Sequence, residues 1–480
     1  MKFYKDIDKS VAFIKSRIRS EDVFYHEIKA GEKRAVVIYV DSITDKKSLG
    51  QMLINPLTKG EMKTLDDVKK CSFAAACVSE PNPLKAMEEL VKGKCVLLFE
   101  GENAALCFDF VHFETRAISE PPTSTVMKGP REGFNESLRV NLCLMYRRIK
   151  VSDFVVERFT LGRYSKTSVA VCYISSITDP KVVEEVKKRL KLIDIDGVPD
   201  SSYIGKMIVE HKTSLFKQAG NTEKPDILAQ KMFEGRVGII VDGSPLALTV
   251  PYMFVEDFQS SEDYFVNFYR ANMERTVRVL SMLIAVFLPA VFVSAQLFHL
   301  QLIPLNFLLT IVNSIKGIPL SPSFEMFFTL LIFEILNEAS IRMPKYVGMA
   351  LSIVGALVLG DTAVKAGIVS TPTIMIMALS GICLYTVPEL VESMSVLRLV
   401  YLVVAGAAGG YGIVLLTAFI IAYLCSLENF GVPFLAPYAP LIRPDLKDGL
   451  FMDFISKQTM RPAVLKTKNK RRLKIKDVKE

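Results

Sequence analysis

Charged residues are absent from one long stretch of this sequence, residues 279–315, where 37 consecutive positions hold no Asp, Glu, Lys or Arg. At about 1.5 Å per helical residue, this stretch exceeds the hydrocarbon core of a bilayer, which is about 30 Å thick. The residues before it carry charges throughout, as in a water-soluble protein. The sequence therefore predicts a soluble amino-terminal half followed by a membrane-embedded half.

Both ends of the sequence favour a cytoplasmic location. Lys, Asp and Arg interrupt every apolar stretch between Met1 and Ala30, so this segment lacks the order of a secretory signal, and we expect the front half to stay in the cytoplasm. Seven of the eleven residues from Lys466 to Lys476 are Lys or Arg. Such a tail favours a cytoplasmic carboxyl terminus, where it either binds anionic lipid or stays solvated and disordered.

The soluble half contains an internal repeat. Residues 37–45 read VIYVDSITD and residues 171–179 read VCYISSITD, a strand-like run that leads into a helix cap at Ser-Ile-Thr-Asp. A second pair, KGKCVLLFEG from Lys92 and EGRVGIIVDG from Glu234, predicts a helix that ends at a glycine, a buried strand and an acidic-Gly turn. The repeat predicts two tandem α/β subdomains of similar topology.

The predicted fold class is multi-domain: a soluble N-terminal α/β region of two tandem similar subdomains, followed by a polytopic all-α transmembrane bundle. The predicted domains are an N-terminal extension (1–32), the first subdomain (33–113), an interlobe linker with a helix (114–166), the second subdomain (167–265), the transmembrane domain (266–442) and a basic cytoplasmic tail (443–480). Two such lobes leave a crevice in which a small ligand could bind. Duplication kept only as a scaffold for assembly explains the repeat equally well.

Sequence signatures of catalysis and metal binding are absent. In the interlobe linker, Gly129 and Gly133 frame Arg131 and Glu132, which predicts a tight loop, but no G-x-x-x-x-G-K-S/T phosphate-binding signature occurs. Hydrolase, metalloprotease and dinucleotide-binding signatures are also missing, so we do not expect an enzyme. The eight cysteines form no C-x-x-C pair and the four histidines lie far apart in sequence, so we expect no metal site and no cofactor.

Five apolar blocks occupy the second half of the sequence. They are 279–300, 326–341, 346–360, 368–387 and 399–427, and a shorter sixth candidate, 303–315, is broken by Pro304. Cytoplasmic termini demand an even number of crossings. One block is therefore expected to be a re-entrant or interfacial segment instead of a simple span.

One block carries a polar stripe. Glu334, Glu338 and Arg342 recur at four-residue steps with Asn337 beside them, so they share one helical face. Charges at membrane depth are costly and normally face a partner, a water-filled cavity or an ion path. The stripe is either a Glu338–Arg342 pair with contacts to a neighbouring subunit, or the lining of a pore or vestibule.

Small residues recur on the faces of later blocks. Gly348, Ser352, Ala356 and Gly360 lie four residues apart, and Gly406 with Gly410 repeats the spacing. Small residues let membrane helices approach closely, so close packing is one interpretation. In the other interpretation, the helix of block 346–360 surrounds an oligomer axis. The candidate pore or gate residues are then Ser352, Val354, Gly355, Val358 and Leu359.

Several longer sequence motifs are distributed along the chain between Val37 and Pro462. The soluble half contains GPREGF from Gly129, IDIDG from Ile193, TEKPD from Thr222 and VDGSP from Val241. The membrane half contains FEIL from Phe333, SIVGAL from Ser352, GYG from Gly410 and FGVP from Phe430. With these motifs the chain resembles the A subunit of spore germination receptors, the GerA family of endospore-forming bacteria. That family usually has Arg at the positions held here by Lys224 and Asn337.

The resemblance implies a membrane subunit that assembles with a transporter-like B subunit and a lipoprotein C subunit in the inner spore membrane. Such a complex senses nutrients and triggers ion release and germination, and the A subunit is expected to form a homo-oligomeric ion channel. Two alternatives stay open. One is a non-conducting scaffold or signalling subunit that couples its partners to a separate channel. The other is a family member that acts with the dipicolinic acid channel. No nucleic-acid partner is expected.

Overall fold

The computed structural model describes residues 2–31, 33–60, 62, 64–72, 74, 76–112, 128–343 and 360–473. The amino-terminal part forms two lobes, each built on a five-stranded antiparallel sheet. Lobe 1 contains α1 (Ile7–Arg17), β1 (Val23–Ala30), β2 (Lys33–Val40), α2 (Lys46–Leu49), a π-helical turn (Gly50–Ile54), α3 (Asn55–Lys59), α4 (Leu65–Cys71), β3 (Cys77–Glu80), α5 (Pro83–Val91), β4 (Cys95–Phe99) and β5 (Ala105–Phe108).

Lobe 2 repeats this arrangement. It contains α6 (Leu138–Arg148), β6 (Phe154–Leu161), β7 (Thr167–Ile174), α7 (Pro180–Lys191), α8 (Ser201–Ile208), β8 (Gly220–Thr222), α9 (Pro225–Phe233), β9 (Val237–Val241) and β10 (Ala247–Val250). The strand order is β1-β2-β4-β5-β3 in lobe 1 and β6-β7-β9-β10-β8 in lobe 2. Position by position, the two sheets have the same topology.

Local sequence explains why the two lobes match. Asp45 and Asp179, at the ends of the repeated Ser-Ile-Thr-Asp segments, are the N-caps of α2 and α7, and each side chain accepts a 3.0 Å hydrogen bond from the backbone N–H two residues later. Gly93 and Gly235 follow α5 and α9 with φ of +104° and +107°, a conformation that favours glycine. The helix starts and stops are therefore encoded locally, and in duplicate.

Each sheet begins one strand earlier than the repeat predicts. Strand β1 lies in the predicted N-terminal extension (1–32), and β6 lies in the predicted interlobe linker (114–166). Both are edge strands that pair with only one neighbour in the described sheets. Because an edge strand alternates exposed polar and buried apolar side chains, it lacks the continuous apolar run that marks the central strands.

The two lobes share one apolar core. Alternate residues of β2 and β7, such as Ile38 and Cys172, point into a cluster of buried side chains that also includes residues of α5, α6 and α9. The intervening residues, such as Val37 and Val171, face separate outer cores. Apolar side chains therefore fill the space between the lobes in which the sequence suggested a crevice.

The second half of the described chain is helical. Its described helices include α10 (Phe268–Phe298), α11 (Leu305–Ile315), α12 (Pro322–Arg342), α13 (Thr371–Leu384) and α14 (Val391–Ser426). Within the part of the chain that the structure describes, two helical segments, Phe268–Phe298 and Pro388–Ser426, are long and apolar enough to cross a membrane. Pro289 lies inside α10. Gly409 interrupts α14, because its backbone is not helical (φ of +62° and ψ of −150°). The predicted block 346–360 lies outside the described residues except for its last position.

The chain returns from α14 to lobe 2 through a carboxyl-terminal strap, residues 428–473. The Arg461 side chain donates to the carbonyl of Phe233 (2.6 Å), and the Lys468 backbone N–H donates to the carbonyl of Ile177 (2.9 Å). Thr467 is only 5% exposed. The described part of the basic tail, residues 466–473, therefore packs on lobe 2, in contrast to the lipid-bound or solvated tail that its composition suggested.

We predict that Gly235→Ala loosens the strap. An added Cβ at Gly235 would lie 2.4 Å from Thr467 Cγ2, so Thr467, which is buried in this contact, must shift and weaken the docking of the strap. The matched control is Gly243→Ala, because Gly243 also has positive φ (+84°) but has no described atom within 4 Å of the added Cβ. Both variants carry backbone strain of about 1 kcal/mol or more. Only Gly235→Ala should accelerate tryptic cleavage between Lys466 and Arg472, and equal cleavage rates would contradict the described docking.

Candidate functional site

A buried ion cluster joins the base of α10 to the segments on either side of it. We call Asp263, Arg275, Arg278 and Asp448 the junction cluster. Arg275 donates to Asp263 (2.8 Å), to Asp448 (3.0 Å) and to the carbonyl of Gly449 (2.8 Å). Arg278 binds both oxygens of Asp263, at 2.8 and 2.9 Å. The side chains of Arg275 and Asp263 are both 0% exposed, so this pair is fully withdrawn from water.

Short-range signals place these side chains. Ser260 caps a 3-10 turn, Ser261–Tyr264, in which Asp263 accepts the backbone N–H of Ser260 (3.1 Å). Asn267 caps α10, and Arg275 and Arg278 then lie three residues apart on one face of that helix. Asp448 comes from the strap. The cluster therefore fixes the segment before α10, the helix itself and the strap in one arrangement.

A second buried carboxylate, Glu256, ties lobe 2 to the same segment. It accepts hydrogen bonds from Arg236 (2.9 Å) and from the backbone N–H of Met253 (2.9 Å), and it pairs with Lys231 of α9. Burial favours the neutral form of this carboxyl, but the charges of Arg236 and Lys231 outweigh it and lower the pKa of Glu256 below its ordinary value. Glu256 is therefore held as a buried anion by cations from lobe 2.

A third contact reaches the start of α14. Lys217, which precedes β8, pairs with Glu389 in the 3-10 turn Pro388–Leu390 that leads into α14. Beside it, Tyr252 donates a hydrogen bond to the buried carboxyl of Asp257. Burial raises the pKa of Asp257 to about 7, although the Tyr252 hydroxyl opposes this effect. Lobe 2 is thus linked to the ends of both long apolar helices.

The structure separates the predicted polar stripe of α12 into three parts. Glu334 pairs with Arg398 of α14, whose side chain is 0% exposed. Asn337 donates to the hydroxyl of Tyr385, just after α13. Glu338 pairs with Arg342 one turn away, and both side chains remain exposed, at 60% and 78%. Only Glu338 and Arg342 form the intrahelical pair that the spacing suggested.

Glu325, on the opposite side of α12, has a separate role. One of its oxygens accepts hydrogen bonds from the backbone N–H and the hydroxyl of Ser370, both at 2.7 Å. Ser370 is the N-cap of α13, so Glu325 supplies a hydrogen-bond acceptor at the N-terminus of that helix. This contact fixes α13 against α12.

The small residues of α14 lie where other helices cross it. A Cβ at Gly406 would approach Ser323 Oγ of α12 to 2.7 Å, and one at Gly410 would approach His299, after α10, to 3.3 Å. A Cβ at Gly360 would meet no described atom within 4 Å. The other small-residue and gate positions lie outside the described residues: Gly348, Ser352, Val354, Gly355, Ala356, Val358 and Leu359.

The interlobe loop is part of the packing between lobe 2 and the segment before α10. Gly129 has φ of +123°, and an added Cβ would lie 2.7 Å from the ring of Phe265. Glu132 accepts from Arg148 (2.7 Å) and from Arg147 (3.1 Å) at the end of α6. Arg131 and Gly133 lie in the same loop.

Comparison with known proteins shows which family this chain resembles. A family model described as Bacillus/Clostridium GerA spore germination protein matches residues 12–464. The chain belongs to the GerA family. The resemblance inferred from the sequence motifs is therefore confirmed.

Several GerA-family proteins match over most of their length. Spore germination protein KA of Bacillus subtilis (strain 168) is 37% identical over 92% of this chain and 84% of its own. Spore germination protein B1 of the same organism is 32% identical over 93% of this chain and 95% of its own. A solved structure, the N-terminal domain of the A subunit of the Bacillus megaterium spore germinant receptor GerK3, is 27% identical over 53% of this chain and 98% of its own, with a TM-score of 0.42.

Sequence reasoning missed the buried charges of this GerA-family chain. Arg398 lies at the edge of an apolar block, where a charged residue is common and does not suggest a buried site. Asp263 and Arg275 lie in a charged segment before the first block. One signal was available, because Arg275 and Arg278 recur on one face directly before the charge-free stretch. Asp448, which pairs with Arg275, lies 173 residues further along the chain, and sequence spacing does not reveal such a pair.

We predict that Asp263→Asn strongly destabilises the chain. The change leaves two guanidinium groups with a weaker acceptor in a buried site, which costs about 3 kcal/mol or more. Asp194→Asn is the matched control, because Arg163 binds both oxygens of Asp194 (2.7 and 2.6 Å) on an exposed surface. Loss of an exposed pair costs about 1 kcal/mol or less. Denaturant unfolding of the purified chain in detergent measures both, and equal losses would contradict the buried role of Asp263.

We predict that Asp257→Asn reduces the pH dependence of stability. Because the pKa of Asp257 is raised to about 7, the folded chain keeps a proton that the unfolded chain releases near about pH 4. The contribution of Asp257 to the free energy of unfolding is fully present below about pH 4 and is lost as the pH rises towards 7. Asparagine cannot ionise, so the variant should gain melting temperature relative to the original chain between about pH 5 and about pH 8. Parallel pH profiles would refute this.

Proposed function

We propose that this chain is the A subunit of a nutrient-responsive spore germination receptor, and that copies of it assemble into a ligand-gated ion channel. Membership of the GerA family supports the role in germination. The B and C subunits of the receptor are its proposed partners, and the inner spore membrane is its proposed location.

The observation that carries this proposal is the attachment of lobe 2 to both long apolar helices. Lys231 and Arg236 of lobe 2 hold the buried Glu256 in the segment before α10, and Asp263 of the same segment holds Arg275 of α10. Lys217 of lobe 2 pairs with Glu389, directly before α14. The buried pairs on the α10 side tolerate little displacement, because an unpaired buried charge is costly, whereas the Lys217–Glu389 pair is partly exposed and is the weaker link. A shift of lobe 2 therefore moves the ends of α10 and α14 together, as a soluble sensor coupled to a membrane gate requires.

The strap supports a multi-pass topology with both ends on one side of the membrane. Lobe 2 precedes α10 and the strap follows α14, yet the two are in contact: the rings of Phe254 and Phe434 lie 5.8 Å apart, and Arg461 binds the carbonyl of Phe233. Segments that touch lie on the same side, so the number of crossings between them is even. The basic composition of the strap favours the cytoplasmic side.

The polar groups on the helices fit an oligomer. Arg398 and Glu334 form a pair with a buried guanidinium, whereas Glu338 and Arg342 pair with each other while both side chains remain exposed. Lipid is a poor environment for such charges. We propose that this part of α12 faces a neighbouring copy or a water-filled vestibule, and that the gate is formed by the residues around Val354 and Val358.

The alternative from a different class is a non-conducting scaffold or signalling subunit, including one that acts with the dipicolinic acid channel. The ion pair between Arg398 of α14 and Glu334 of α12 favours this alternative, because a neutralised pair can hold two helices together without conducting ions. The two functions differ in whether the assembled chain itself passes ions.

We predict that Val354→Glu and Val358→Glu make the assembled receptor leak. An apolar constriction closes by dewetting, and a charged side chain keeps it hydrated. Ion flux from vesicles containing the reconstituted receptor, measured without nutrient, should rise well above that of the original chain. Val151→Glu, on the soluble region, is the control for an added charge. Vesicles that stay tight while nutrient-triggered release persists would refute the gate, and a receptor that never conducts would favour the scaffold.

A further inference from the structure

The strap runs along the first turns of α10, just before the charge-free stretch begins. Arg275 of α10 donates to the carbonyl of Gly449 at 2.8 Å. One turn earlier, the Asn272 side chain exchanges two hydrogen bonds with the backbone of Met452, at 2.8 and 3.0 Å. Arg275 and Asn272 precede the charge-free stretch by four and seven residues, so this part of the strap lies about 6 to 10 Å outside it.

That level corresponds to the headgroup layer of a bilayer that α10 crosses. The headgroup layer on each side of the hydrocarbon core is about 5 to 7 Å thick. Leu450 packs on an apolar cluster that Val279, the first residue of the charge-free stretch, also joins. Tyr438 is held at the same level, because its hydroxyl accepts a 2.8 Å hydrogen bond from the backbone N–H of Leu450. Side chains on the outer side of this part of the strap therefore reach the headgroups.

Five exposed side chains belong to this part of the strap. We call them the strap patch: Tyr438, Leu441, Arg443, Lys447 and Phe451. Leu441 and Phe451 are 62% and 63% exposed, although both are large and apolar. Apolar side chains that stay exposed side by side commonly mark a surface that contacts a partner or a membrane.

The strap patch is positively charged, because the carboxylates next to it already have partners. Asp445 accepts the backbone N–H groups of two later strap residues, at 2.8 and 3.0 Å. Asp448 belongs to the junction cluster, where it pairs with Arg275. Among the described residues, neither Arg443 nor Lys447 has a carboxylate partner. The patch therefore offers two free cations beside its apolar side chains.

We propose that the strap patch binds the anionic lipid headgroups of the leaflet that faces lobe 2. Tyr438, Leu441 and Phe451 insert between the headgroups, and their apolar parts reach towards the acyl chains. Arg443 and Lys447 pair with the headgroup phosphates.

The chemistry of the strap patch favours lipid over a second protein. Lysine is depleted in protein–protein interfaces. Tyrosine at headgroup level, flanked by Arg and Lys, is typical of segments that lie at a membrane surface. The position beside the start of the charge-free stretch adds a reason that no protein partner requires.

Lipid binding by the strap patch would fix the height of lobe 2 above the membrane. The same strap binds lobe 2 through Arg461 and Lys468, and it binds α10 through Asp448. The strap is then held at three points: the leaflet, lobe 2 and the base of α10. This inference rests on the membrane location in the proposed function, but it does not require that the chain conduct ions.

A single introduced tryptophan tests the location, because the chain contains no tryptophan of its own. The full-length Phe451→Trp chain is reconstituted into vesicles of brominated phosphatidylcholine, whose bromine atoms quench tryptophan on contact. We expect most of its emission to be lost. Tyr164→Trp is the matched control, because Tyr164 is an aromatic residue, 84% exposed, in the turn between β6 and β7 of lobe 2. Its emission should persist. Leu441→Trp replaces the reporter if Phe451→Trp does not fold.

A third reporter separates failure of the patch from failure of the proposed function. Phe419→Trp lies at a 71% exposed position of α14 and should be quenched in the same vesicles. If Phe419→Trp keeps its emission, the helices are not in the bilayer and the proposed function is wrong. If Phe419→Trp is quenched while Phe451→Trp and Leu441→Trp keep their emission, a protein surface or water covers the patch, and only the lipid proposal is wrong.

The charge requirement is tested with the Phe451→Trp chain in unbrominated phosphatidylcholine. Each cation near an anionic leaflet favours association by about fivefold. The mole fraction of brominated phosphatidylglycerol that halves the emission should therefore be about fivefold lower, or less, than that of brominated phosphatidylcholine. Adding Arg443→Gln and Lys447→Gln should abolish this difference. Lys47→Gln with Lys85→Gln, two exposed lysines of lobe 1, should preserve it. Equal mole fractions for the two lipids, or a difference that survives loss of both patch cations, would overturn the proposal.

Discussion

The buried pair of Arg275 and Asp263 is the interaction on which the arrangement of the chain depends. Both side chains are fully withdrawn from water, and Asp448 of the strap completes the charge balance. Removing two charges from water is costly unless their geometry is well satisfied. The segment before α10, the helix and the strap therefore form one unit, because displacing any one of them leaves a buried charge without its partner.

Duplication explains the form of the soluble region, but only one copy is connected to the helices. Gly93 and Gly235 end equivalent helices with nearly equal φ, yet Gly93 packs on Val111 and Ile43 of its own lobe, whereas Gly235 packs on Thr467 of the strap. Lobe 2 also supplies Lys231 and Arg236 to the buried Glu256. The shared core fixes lobe 1 to lobe 2, and the described ion pairs between the soluble region and the helical half come from lobe 2.

Charges on the apolar helices show how far a sequence pattern can be interpreted. Spacing placed Glu334, Glu338 and Arg342 on one face of α12, and the helix does place them there. Their partners differ because the neighbours differ: Glu334 meets Arg398, 64 residues away, while Glu338 meets Arg342 on its own helix. Helical periodicity fixes the direction of a side chain, and only the packing of helices fixes what it meets.

Local signals in the sequence determined the two-part plan, the repeated lobes, the helix caps at Asp45 and Asp179, and the glycines that end α5 and α9, because each depends on neighbouring residues alone. The edge strands β1 and β6 were missed because they lack an apolar run. Tertiary structure alone decided the junction cluster, the filled space between the lobes, the docking of the basic strap and the position of the strap patch beside α10. These features join residues far apart in the chain, and their energy comes from burial and charge pairing that exist only once the chain has folded.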